Sequence, residues 1–280
     1  MKFFVIGDIH GRKKALVKIL KKAKFDYEKD YLFILGDIAD GGSNTRGVVD
    51  ELLKIKNKIF ILGNHDEFFL KHMLRGKIEP LWINQGGANT INSYGGNITP
   101  SERVTGIPLI KGVENVNIPD DHIQFFKEAL LYFEFENILF VHAGINPSKP
   151  LREQDIKTLL WDRNIIKKAE KQDIQGFKKV FIGHTSTQHI EREHVNMRCR
   201  DCGFETSKEF KKENDLKNEG LCEQCGSNNI HQSFGCTKPI MIGNLVCLDT
   251  GAGWDGRLTI MNVFDNKEFY QSELLEPAIK

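Results

Sequence analysis

The chain has 280 residues, 40% of them hydrophobic, enough for one sizeable core with a small appendage. Lys plus Arg number 39 and Asp plus Glu 38, so bulk charge points to neither a nucleic-acid nor a membrane partner. No apolar run reaches the roughly 18–20 residues of a membrane span, and Asp8, His10 and Arg12 interrupt the apolar start before a signal-peptide core forms, so a cytoplasmic protein is the simplest reading.

Phe3–Ile6 reads as a buried strand ending in Gly7, and Lys13–Lys22 carries Ala15, Leu16, Ile19 and Leu20 at helical spacing. Tyr31–Leu35 is a second strand ending at Gly36, Val48–Ile55 a helix, Lys58–Leu62 a third strand ending at Gly63, and Glu67–Leu74 a helix. Strand, turn and helix in threefold succession imply a mostly parallel sheet covered by helices, in which function gathers at the carboxyl ends of the strands. Further on, Asp120–Leu130 and Glu153–Leu160 read as helices and Ile138–Val141 and Val180–Ile182 as strands. Ile240–Leu248 and Arg257–Val263 read as closing strands, with Lys267–Ser272 as one more. The stretch from Thr187 to Phe234 is polar, charged and poor in apolar periodicity. It is expected to be an insertion (187–234) in a main domain formed by 1–186 and 235–280.

Five polar clusters follow five strand-like runs: Gly7-Asp8-Ile9-His10-Gly11, Gly36-Asp37-Ile38-Ala39-Asp40, Gly63-Asn64-His65-Asp66, Val141-His142-Ala143-Gly144 and Gly183-His184-Thr185. Each sets oxygen or imidazole donors beside small residues that let the backbone turn. Two divalent cations a few ångströms apart need a bridging carboxylate with carboxylate and imidazole donors around it. Such a pair acidifies a bound water and clamps a phosphoryl group.

This series, GDIHG, GDIAD, GNHD, VHAG and GHT, resembles the calcineurin-like metallophosphoesterases, and within them the bacterial and phage members of the phosphoprotein phosphatase branch. The similarity runs from Met1 to about Thr187 and resumes at Leu248-Asp249-Thr250-Gly251-Ala252. The resemblance implies a four-layer α/β sandwich of two mixed sheets flanked by helices. It assigns Asp8 and His10 to a first metal, Asp37 to both, and Asn64, His142 and His184 to the second. It makes His65 the general acid, with Asp40 holding it protonated and oriented. The nucleophile it implies is a metal-bridging hydroxide attacking phosphorus in line, without a phosphoenzyme. Manganese is the metal expected first, with iron or zinc as alternatives.

A phosphate also needs cationic donors. Trp161-Asp162-Arg163 resembles a Trp-x-Arg segment of the bacterial relatives, which makes Arg163 the first substrate-binding candidate. The arginine usual after the second aspartate of GDxxD is missing, because Gly41-Gly42 follows Asp40; Arg46 is the substitute from the next turn. Trp82, Asn84, Gly86, Gly87, Thr90 and Ser93-Tyr94-Gly95 resemble another segment of the bacterial branch, expected in a helical cap beside the site; packing and functional readings of Trp82 both stand, and no catalytic role is assigned to it. The remaining histidines, His72, His122, His189, His194 and His231, are expected on the surface or in loops.

Cys199-x-x-Cys202 and Cys222-x-x-Cys225, each followed by glycine, match a four-thiolate structural zinc ribbon. A closed site of that kind stabilises a segment without a core of its own and does no chemistry. Cys236 and Cys247 are expected to be buried thiols. Arg198, Arg200, Lys208, Lys211 and Lys212 mix with Glu205, Glu209 and Glu213, which is not a clean basic patch. Nucleic acid is therefore expected only as a minor alternative, through the ribbon.

The expected activity is metal-dependent hydrolysis of phosphomonoesters, on phosphoserine or phosphothreonine in proteins or on a small phosphoester. Because the arginine after Asp40 is missing, a nucleotide phosphohydrolase such as a symmetric dinucleoside tetraphosphatase is the alternative. A zinc-ribbon binding scaffold is the alternative from another class.

Overall fold

The strands over Phe3–Ile6 and Ile138–Val141 are apolar along their whole length because both of their faces are covered. The computed structural model describes residues 1–76, 78–104, 107–209 and 221–277; Lys211, Lys212 and Glu213 fall outside these. The first half of the chain runs β1 (Phe3–Ile6), α1 (Lys13–Lys22), β2 (Tyr31–Ile34), α2 (Thr45–Leu53), β3 (Asn57–Phe60), α3 (Asn64–Arg75), α4 (Pro80–Trp82) and α5 (Ala88–Ser93). A hairpin of β4 (Asn97–Val104) and β5 (Ile107–Glu114) leads to α6 (Asp120–Lys127), β6 (Tyr132–Phe135) and β7 (Ile138–Val141). Then come α7 (Ile156–Trp161), α8 (Asn164–Ala169), β8 (Lys179–Ile182), α9 (Thr187–Ile190), β9 (His194–Cys199), β10 (Glu205–Glu209) and β11 (Ile230–Phe234). The chain closes with β12 (Ile240–Ile242), β13 (Leu245–Cys247), β14 (Thr259–Asn262) and β15 (Phe269–Gln271).

Two five-stranded mixed sheets carry the fold, ordered β15-β14-β1-β2-β3 and β12-β13-β8-β7-β6. In the first, β1, β2 and β3 are parallel; in the second, β13, β8 and β7 are parallel. The period-2 alternation of each strand divides its side chains between two cores. Val5, Phe33, Phe140, Phe181, Val246 and Met261 meet between the sheets. Phe33 stacks on Phe140 with ring centroids 4.1 Å apart. The opposite faces, Phe4, Ile6, Leu32 and Ile34 in one sheet and Leu139, Val141, Val180 and Ile182 in the other, pack under helices. The result is the expected four-layer α/β sandwich.

Several elements differ from the sequence reading. Ile240–Leu248 is two strands, because Gly243 takes φ +56 and turns the chain back. The helix expected over Glu153–Leu160 is a 3-10 turn, Leu151–Glu153, followed by α7. α3 starts at Asn64 and not at Glu67, which places Asn64 and His65 in its first turn. The hairpin β4–β5 was not anticipated. The polar stretch after α9 builds its own three-stranded antiparallel sheet, β10-β9-β11. Two histidines expected on the surface are buried: His122 between the Tyr94 hydroxyl and Asp50, and His231 against the Leu275 carbonyl. Among the described residues no helix is long and apolar enough to cross a membrane.

Candidate active site

The turns after β1, β2, β3, β7 and β8 converge at one end of the two sheets. They bring Asp8 and His10, Asp37 and Asp40, Asn64 and His65, His142, and His184 together, all buried except His65. Two donor groups form: Asp8, His10 and Asp37, and Asp37, His142 and His184, with the donor atoms of each group within 4.8 Å of one another. Asp37 belongs to both. His142 Nε2 lies 3.4 Å from Asp37 Oδ2, and His10 Nε2 lies 3.9 Å from both Asp8 Oδ2 and Asp37 Oδ2. Asn64 Oδ1 sits 3.1 Å from His142 Nε2 and 2.8 Å from His184 Nδ1.

The rings are aimed from behind. His10 Nδ1 bonds the Ala39 carbonyl at 3.1 Å and His142 Nδ1 bonds the Leu35 carbonyl at 2.7 Å, so each presents Nε2 to the carboxylates. His10, Asp37, Asp40 and His184 all hold positive φ (47°, 47°, 69° and 60°), a region costly for residues with a Cβ. The local glycines are required by contact: a Cβ on Gly63 would overlap the Asp37 carboxylate, and one on Gly183 would overlap Asp8 Oδ1.

The electrostatics fit cations. Burial, then Asp249 and Asp37, push the Asp8 carboxyl well up, and burial lifts Asp249 to about 6. Against burial, the neighbouring histidines, His142 foremost, hold Asp37 low. Burial lowers His10 to about 4 and His184 to about 3, leaving neutral imidazoles with lone pairs to offer. Crowded buried carboxylates beside neutral imidazoles are the oxygen and nitrogen donor set that divalent ions take.

His65 is the accessible member of the cluster, with its side chain 15% exposed. Its Nδ1 donates to Asp40 Oδ2 at 2.7 Å, and its backbone N–H donates to Asp37 Oδ1 at 2.9 Å. Burial opposes its charge, but Asp37 and Asp40 lift it to about 9.

The calcineurin-like phosphoesterase family matches residues 1–217 of this sequence, more than half of the chain. The chain belongs to the calcineurin-like phosphoesterases. A symmetrical bis(5'-nucleosyl)-tetraphosphatase of Coxiella burnetii is 23% identical over 95% of this chain and 90% of its own length. One of Nitrosomonas europaea is 23% identical over 96% and 97%. The crystal structure of a protein provisionally assigned as a diadenosine tetraphosphatase superposes with a TM-score of 0.55 at 17% identity, covering 96% of this chain and 92% of that one, and so shares the fold.

In this calcineurin-like phosphoesterase some parts of the site escaped the sequence reading. Trp82 does more than pack: its indole N–H donates to both Asp40 oxygens at 3.0 and 2.9 Å. Thr90 Oγ1 donates to Asp40 Oδ1 at 2.7 Å and accepts the Asp40 N–H at 2.8 Å. The one available signal was the rule that a buried indole N–H finds a partner. Asp249 joins the carboxylates and accepts the Gly251 N–H.

Asp66 accepts the backbone N–H groups of Ile38, Ala39 and Gly63 at 3.0, 3.1 and 3.0 Å, tying the β2 turn to the start of α3. Asp66→Ala leaves three buried donors unpaired and should cost about 3 kcal/mol or more, read from the denaturant midpoint.

Arg163 is exposed, and its Nη2 lies 3.5 Å from the His184 carbonyl oxygen. Arg46 is exposed in the first turn of α2, where its charge reaches the Tyr94 hydroxyl. Arg12, beside the first motif, is held by the Ala252, Trp254 and Glu276 carbonyls.

The four paired cysteines converge within 4.8 Å, with Cys199 and Cys225 sulfurs 3.6 Å apart and Cys202 and Cys222 sulfurs 3.5 Å apart. Tetrahedral zinc with bonds of about 2.3 Å would set its sulfurs roughly 3.8 Å apart, so the donors fit that ion. Each knuckle turns on a glycine, with Gly203 N–H bonding the Cys199 carbonyl and Gly226 N–H the Cys222 carbonyl. Among the described residues, three basic side chains nearby are paired: Arg198 with Glu273, Arg200 with Glu276 in a two-pronged contact, and Lys208 with Glu223. This docks β9 and its turn on the C-terminal segment.

Proposed function

We propose that this calcineurin-like phosphoesterase hydrolyses phosphate esters or anhydrides at a dinuclear metal site. The observation that carries the reading is the single Asp37 carboxylate shared by two three-donor groups. Asp8, His10 and Asp37 would hold one ion, and Asp37, Asn64, His142 and His184 the other. The oxygen and imidazole donors suit manganese first, then iron or zinc. Bound there, the ions would acidify a water and neutralise charge on the phosphoryl group.

The chain's own residues do the rest. Asp40, fixed by Trp82 and Thr90, anchors His65 Nδ1, and His65 delivers its Nε2 proton to the leaving oxygen. Arg163, exposed beside the His184 carbonyl, grips the non-bridging oxygens. Arg46 is the second candidate, reaching from α2. Residues 187–234 form a zinc ribbon set into a catalytic domain of 1–186 and 235–280, with one structural zinc on the four cysteines. Reduced thiols of this kind fit a cytoplasmic setting.

The substrate that the relatives support is a dinucleoside tetraphosphate, since symmetrical tetraphosphatases align with nearly the whole chain and GDIAD lacks the arginine that phosphoprotein phosphatases carry. Phosphoserine and phosphothreonine in proteins form the second reading, resting on the metal and acid motifs shared with that branch. A panel separates the two. Diadenosine tetraphosphate should be turned over with a kcat/KM at least tenfold above phosphopeptides, with ADP as the sole nucleotide product. ATP and AMP as products would reject symmetrical cleavage, and faster turnover of the peptides would reject the tetraphosphatase reading.

A further inference from the structure

Where the insertion joins the catalytic domain, Glu191, His194 and Cys236 come together with one donor atom each, all within 4.8 Å of one another. Glu191 closes α9, which follows directly on the His184 turn; His194 opens β9; Cys236 stands just after β11. The donors are thus drawn from both strands that connect the insertion to the catalytic domain, and from the helix beneath them. His194 Nε2 lies 3.5 Å from a Glu191 carboxylate oxygen, and the Cys236 thiol is buried.

The backbone holding the trio is fixed by hydrogen bonds. Cys236 N–H donates to the Glu191 carbonyl at 2.7 Å, Gly235 N–H to the His194 carbonyl at 2.7 Å, and Thr187 Oγ1 to the Cys236 carbonyl at 2.7 Å. Gly235 holds φ +85 against the Gln188 backbone, where a Cβ would collide. Beside the trio lies a cavity of about 170 Å³, bounded by His194, Asn196, Ser207, Cys236 and Lys238.

We propose that Glu191, His194 and Cys236 form a third metal site, separate from the active site and from the four paired cysteines, that takes one zinc-class divalent cation. One thiolate, one imidazole and one carboxylate are the mixed donor set that zinc accepts, and three protein donors leave a fourth position open toward the cavity. Burial, reinforced by Glu191, raises the Cys236 thiol, so binding releases its proton as the metal–sulfur bond forms. The bound ion ties both junctions of the insertion to the helix that leads from His184. Its function is structural coupling between the ribbon and the catalytic turn.

The test uses full-length protein loaded with zinc at the ribbon and manganese at the active site, titrated with Co²⁺. One added equivalent should produce the near-ultraviolet absorbance of a thiolate–cobalt bond. The active-site donors contain no sulfur, so they cannot give that band. Cys236→Ser and His194→Ala should both abolish it while keeping the parent's circular dichroism, and Glu191→Gln should weaken binding. His194→Ala carries the test if Cys236→Ser does not fold. No band in the parent protein, or a band of equal strength in the folded variants, would overturn the proposal.

Discussion

His65→Asn should lower kcat by on the order of 10²–10⁴-fold on substrates whose leaving oxygen needs a proton. The side chain is the exposed edge of an otherwise buried cluster, and the 2.7 Å bond from Nδ1–H to Asp40 supports the imidazolium, the form that also carries a proton on Nε2. Asparagine fills similar space but cannot deliver that proton. The loss should therefore depend on the leaving group. Alkyl phosphates, whose alkoxides are strong bases, should suffer the most; p-nitrophenyl phosphate, whose phenolate leaves unaided, should suffer far less. The ratio of the two losses, measured with variant and parent at equal metal loading, checks the role. Equal losses on both substrates would point to a general structural defect and contradict proton donation.

Asp37→Asn should remove activity to background, a loss on the order of 10³-fold or more, since even outer-shell partners of metal ligands are worth 10–100-fold. The substitution keeps the shape and deletes the one negative charge common to both donor groups. Its partners are then poorly matched: His142 Nε2 at 3.4 Å and His10 Nε2 at 3.9 Å face an amide that cannot bridge two cations. Metal analysis should show both active-site ions lost while the ribbon keeps its zinc. Retention of both ions with near-parent activity would remove Asp37 from the bridging position.

The donors were legible because each is local to its own strand end. Asp8 and His10, Asp37 and Asp40, and Asn64 and His65 sit within four residues of a glycine that closes an apolar run, so pattern and function share one short window. The buried strands were legible for the same reason, since Phe3–Ile6 and Ile138–Val141 are apolar throughout, while their division between two sheets followed only from the family resemblance. What was not legible depends on distant partners. Nothing near Trp82 marks it as the donor to Asp40, 42 residues away. Asp249 becomes a neighbour of Asp8 only when β13 pairs parallel to β8, a pairing hidden inside what reads as one long strand. The β10-β9-β11 sheet draws on few apolar residues and on ion pairs to the residues that follow β13, which leave no periodic trace. Cys236 reads as a solitary thiol until β9 and β11 bring His194 beside it.

The most direct test of the central claim is reconstitution. Protein stripped of its active-site ions, with zinc left on the ribbon, is titrated with manganese while release of nitrophenolate from p-nitrophenyl phosphate is followed. A dinuclear phosphoesterase predicts no turnover without manganese and full activity at two bound equivalents, with Asp37→Asn silent throughout. Activity that persists in the stripped protein, or none from folded protein carrying both ions on any ester or anhydride offered, would contradict it.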